Sequence, residues 1–132
     1  MDPRHQKRLN TVQNLFARTF RIDESLSELP HKDDPLSILV LEKKNEIHAQ
    51  IEKYAPKYPI ANIAHIDLAI LQLAIYELMF APEKQPAKVV INEAVEIAKE
   101  LGNDRSFAFV NAVLGSILNE ITSEKRDGNK SE

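Results

Sequence analysis

The sequence predicts an all-α fold, a single-domain bundle of about five to seven helices with one buried helix at its centre. Three observations lead there. Apolar residues recur at spacings of three and four along nearly the whole chain, with no strand-like alternation and no internal repeat. Prolines fall between the periodic segments rather than within them. The segment from Ile66 to Phe80 is apolar on almost every side, the pattern of a helix surrounded by protein.

The first helix is carried by Leu9, Val12, Phe16 and Phe20 on one face. Residues 22–36 hold acids, serines and two prolines, and read as a loop with at most a short helical turn. Pro35 suits the first turn of a helix that continues through Val40, Ile47 and Ile51 to Tyr54. Its outer face carries Glu42, Lys43, Lys44 and Glu46, and Pro56 and Pro59 end it. The central helix follows, and Pro82 and Pro86 bracket the next turn. A helix with Val90, Ile91, Ala94, Ala98 and Leu101 on one face then stops at Gly102, expected in the left-handed conformation. Asn103 or Asp104 caps the last helix, whose core stripe runs from Phe107 through Val110, Leu114 and Ile117 to Ile121. The domain is thus expected over residues 1–121. Residues 122–132, TSEKRDGNKSE, lack any apolar side chain and are expected to be disordered.

The chain of 132 residues has 43% apolar and 28% charged residues, an ordinary globular balance that needs no metal or disulfide staple. No cysteine is present, which excludes thiol catalysis and cysteine-bound metal. No apolar run reaches the ~20 residues of a membrane span, and the polar N-terminus lacks a signal-peptide core, so the expected place is the cytoplasm. The net charge of −3 is unevenly spread: residues 1–21 set Arg4, Lys7, Arg8, Arg18 and Arg21 against Asp2 alone. A basic arm on an acidic body is no general polyanion trap, but it provides a local strip for phosphate.

Catalytic patterns are missing. His5, His31, His48 and His65 fall in separate elements, and His48 with Glu52 would need further ligands from elsewhere to hold a metal. Glu93 and Glu96 lack the histidine and the second copy of a di-iron motif. The glycines 102, 115 and 128 form no phosphate loop. Asn92 and Asn111, inside helical patterns, read as buried amides bonded to a neighbouring helix. No enzyme and no cofactor are expected.

Three blocks in order carry a resemblance: IDLAILQLAIYEL from Ile66, PAKVVINEAVEIAKELG from Pro86 and FAFVNAVLGSIL from Phe107. With KRLNTVQNLF near the start, they closely resemble the NusB family of transcription antitermination factors. The resemblance covers nearly the whole chain except residues 22–36 and the tail, and is to the stand-alone factor rather than to the related domain of an RNA methyltransferase. It implies a partner, the small-subunit ribosomal protein NusE, and binding of boxA-type single-stranded RNA within an RNA polymerase antitermination complex. It further implies RNA contacts by Arg4, His5, Lys7 and Arg8 on the first helix. Arg105, Ser106 and Phe109 correspond to the second RNA-facing segment, at the start of the last helix. The NusE-facing positions correspond to Phe16, where a tyrosine is usual, and Asp67. Gln72 replaces a common arginine and Ala108 a common lysine, and Ala112 a usual glycine. If each lost cation is a lost phosphate contact, the salt slope for single strands falls by about 0.7 per contact. These losses motivate an alternative, a helical protein–protein adaptor that keeps the fold without specific RNA reading. A homodimer using the NusE-facing patch is also left open by the sequence.

Overall fold

The structure is a computed structural model that describes the backbone of residues 2–20 and 29–130 and the side chains as far as residue 123. The described residues form helices α1 (Pro3–Thr19), α2 (Pro35–Glu42), α3 (Lys44–Tyr54), α4 (His65–Ile75), α5 (Ala87–Leu101) and α6 (Ser106–Lys130). They contain no strand and no helix long and apolar enough to cross a membrane.

Helix α4 is the axis of the bundle. Every residue from Asp67 to Tyr76 is buried, and α1, α3, α5 and α6 all pack on it. Ile70, Leu71 and Ile75 are almost wholly buried, each worth about 1.5–3 kcal/mol of transfer from water. Tyr76–Phe80 continue α4 as a π-helical turn, which carries Glu77. Helix α1 lies antiparallel to α4. Thr19 meets His65 at one end and Arg8 meets Glu77 at the other. Asp2 caps α1 by accepting from the Arg4 amide at 2.9 Å, and Pro3 stands in its first turn.

Several expectations are corrected. The helix expected over 35–54 is two helices, because Lys43 leaves helical geometry with φ −101° and ψ 13°. The bend lets Val40 and Ile47, on either side of it, both reach the core. Gly102 has φ −92° rather than a left-handed value. A glycine is needed there for space: a Cβ would stand 2.4 Å from Ser106 Oγ and 2.7 Å from the Ala98 carbonyl oxygen. Phe107 lies on the surface with Lys99 5.6 Å from its ring centre, so the core stripe of α6 begins at Val110. Asn92 and Asn111 are exposed, whereas Asn14 is the buried amide, held by Ser37 and by the backbone of His31. Helix α6 extends from Ser106 past Ile121 to Lys130. Extending a helix already nucleated by packing costs little, and Glu, Lys and Arg favour it. The loop expected over 22–36 lies outside the described residues as far as 28, and residues 29–34 beyond it form bends and turns.

Candidate nucleic-acid interface

The N-terminal turns of α1 expose Arg4 and Lys7, while the helical period carries Arg8 inward. Arg8 Nε donates to Glu77 Oε2 at 3.0 Å and its terminal nitrogen to Glu77 Oε1 at 2.9 Å. A second carboxylate, Glu93, stands 4.0 Å away. Its side chain is 10% exposed, so Arg8 is committed within the fold and does not face an incoming phosphate.

His5 is also held by acids. Its Nδ1 donates to Glu93 at 2.6 Å and its Nε2 to Glu100 at 2.8 Å. Only the imidazolium form donates from both nitrogens. The Glu93 carboxylate holds the ring above its ordinary range, with Glu100 adding to it and burial opposing. His5 thus fastens α1 to α5, its second contact falling two residues before the Gly102 turn.

At that second segment the Asn103 side chain accepts from the Arg105 amide at 2.9 Å, and Ser106 Oγ accepts from the Asn103 amide at 3.0 Å. Ser106, expected from the resemblance to contact RNA, is fully buried and closes this turn. Arg105 is exposed. Phe109, one turn further along the same face, is half-buried and meets the ring of Tyr58 edge-on at 5.4 Å. Tyr58 is 53% exposed and was missed in the sequence. Its signal, an aromatic between two prolines, says nothing about a partner in α6.

The two positions matched to a protein partner behave differently. Phe16 is half-buried and packs edge-on against the exposed Phe20, which stacks on His65 at 4.0 Å. This makes a continuous aromatic patch at the end of α1. Asp67, expected from the resemblance to face the partner, is buried at 7% exposure. Burial pushes its carboxyl up, with the Ser106 hydroxyl opposing, and Oδ1 has no hydrogen-bond partner. No three described acidic or histidine residues are grouped to hold a metal ion.

Residues 34–119 match the sequence model of the NusB family. The transcription antitermination protein NusB of Chloroflexus aggregans is 36% identical over 136 residues, covering 92% of this chain and 91% of that protein. The solved structure of NusB from T. maritima superposes with a TM-score of 0.76 at 32% identity, covering 90% of this chain and 92% of that one. A chain from a complex of the antitermination factors NusB and NusE with double-stranded RNA gives 0.71 at 21% identity, covering 90% and 99%. At that identity the likeness is one of fold.

Proposed function

The chain belongs to the NusB family, and from that premise we propose that it is an RNA-binding transcription antitermination factor. It pairs with NusE, takes up boxA-type RNA in nascent transcripts and acts on RNA polymerase in the cytoplasm without catalysing a reaction. The observation that carries this reading is similarity across nine-tenths of the chain to a transcription antitermination protein. The exposed cations agree with it: Arg4 and Lys7 flank His5 on α1, and Arg105 precedes α6.

In this reading Arg4, Lys7 and Arg105 neutralise phosphates, and the Phe109–Tyr58 pair offers an aromatic edge to an unstacked base. Arg8 and His5 act indirectly, by fixing α1 so that its exposed cations are held in one register. Phe16 and Phe20 supply an apolar contact for NusE. A triple charge reversal, Arg4→Glu, Lys7→Glu and Arg105→Glu, tests this. Binding to boxA RNA should fall by more than about tenfold, since three phosphate contacts are lost, while the fold and NusE binding are retained. Unchanged RNA binding with NusE still bound would favour the adaptor reading instead.

A further inference from the structure

The segment between α3 and α4 is held as a turn and presents an aromatic and a lysine to solvent. Pro56 and Pro59 restrict its backbone. The Ala55 amide donates to the Ile51 carbonyl at 2.8 Å, the Tyr58 amide to the Ala55 carbonyl at 3.0 Å and the Asn62 amide to the Pro59 carbonyl at 2.8 Å. Ala55 and Ile63, at its two ends, are buried in the core. A segment ordered in this way loses little further freedom when it takes up a partner.

Tyr58 is 53% exposed, and Lys57 beside it is exposed too. The Tyr58 and Phe109 rings meet at 77°, and an edge-on contact covers at most one face of a ring. With half of Tyr58 in solvent, its other face is open to a planar group. The Lys57 side chain makes no ion pair or hydrogen bond among the described residues, whereas Lys53 is drawn to Glu120 at 2.7 Å. From Ala55 to Ile66 the chain holds no acid, although the protein has 20 acids against 17 lysines and arginines. Phe109 follows the exposed Arg105 by one turn, its amide donating to the Arg105 carbonyl at 3.2 Å. Arg105, Phe109, Tyr58 and Lys57 thus run as cation, two rings and cation. Single-stranded nucleic acid is held in this way, its phosphates by cations and its bases by ring faces.

We propose that this segment is a further RNA-contacting element, in which Tyr58 stacks on an unpaired base and Lys57 meets a neighbouring phosphate. The inference rests on the RNA-binding reading above. It extends the path of the strand from Arg105, across the start of α6, to the turn between α3 and α4.

Anisotropy titrations of boxA RNA with the whole protein and NusE, at several salt concentrations, test the proposal. Tyr58→Ala should weaken RNA binding at least about fivefold, the loss of one stacked base. Tyr58→Phe should bind as the wild type does, because the ring and not the hydroxyl makes the contact. Lys57→Ala should lower the salt slope by about 0.7. NusE affinity should be the same in all three variants, which separates an RNA contact from a protein contact or a damaged fold. Unchanged RNA affinity in Tyr58→Ala, an unchanged slope in Lys57→Ala or an equal loss of NusE binding would each overturn the proposal. The reversal of Arg4, Lys7 and Arg105 tells this failure from failure of the underlying reading. If that variant loses RNA while Tyr58→Ala and Lys57→Ala bind as the wild type does, only the contact at this segment is refuted.

Discussion

Arg8 donates to both oxygens of Glu77 with only a tenth of its side chain in solvent, whereas Lys7 beside it is exposed. Breaking a buried pair by removing one partner strands the other charge, at a cost of about 3–5 kcal/mol. Arg8→Ala should therefore lower unfolding free energy by about 3 kcal/mol in a urea titration. Arg4→Ala and Lys7→Ala should change it by less than about 0.5 kcal/mol. His5 gives a pH signature. Its folded-state pKa is raised, so its contribution is complete below the unfolded value near 6.5 and is lost as pH rises through the higher folded one. Denaturation midpoints measured across neutral to mildly alkaline pH should decline in the wild type, and His5→Gln should flatten that decline. At this scale the sequence was only partly legible. It showed that residues 4–8 are basic, but the acids that claim Arg8 and His5 lie between 69 and 95 residues away. No local pattern connects them. Asn14 was passed over for the same reason, since its partners come from another segment.

The turn between α5 and α6 gives a contrast between two glycines. Gly102 is pressed against Ser106 and the Ala98 carbonyl, while a Cβ at Gly115 in α6 would meet nothing within 4 Å. Gly102→Ala should destabilise by about 1–3 kcal/mol through forced displacement of the turn. Gly115→Ala should instead stabilise by about 0.5–1 kcal/mol, because alanine loses less freedom in a helix. Thermal unfolding of the two variants checks the opposite signs. Helix positions and types followed well from spacing, because an apolar face at intervals of three and four has one common solution. The break at Lys43 left no such trace: no proline or glycine marks it, and it arises from how α2 and α3 divide their contacts with the core. Phe107 and Phe109 show the same limit. Both fit a helical stripe, and only the placement of α5 and of the segment that follows α3 leaves one under Lys99 and the other against Tyr58.

Across the whole molecule, a central helix buried on every side fixes the antiparallel placement of α1, and that placement sets which basic side chains face outward. The fold class was legible because a helix with no polar face has to be enclosed. The proposed interface was legible only as a family resemblance, and of its basic residues Arg4, Lys7 and Arg105 are exposed. With so few phosphate contacts, the RNA affinity of the protein alone should be modest and should fall with a shallow salt slope, about 0.7 per contact. The most direct measurement is fluorescence anisotropy of a boxA RNA and a scrambled strand, with and without NusE, at two salt concentrations. The account predicts a preference for boxA that strengthens when NusE is added. Equal binding of the two strands under both conditions, with NusE bound, would contradict it and leave a helical adaptor.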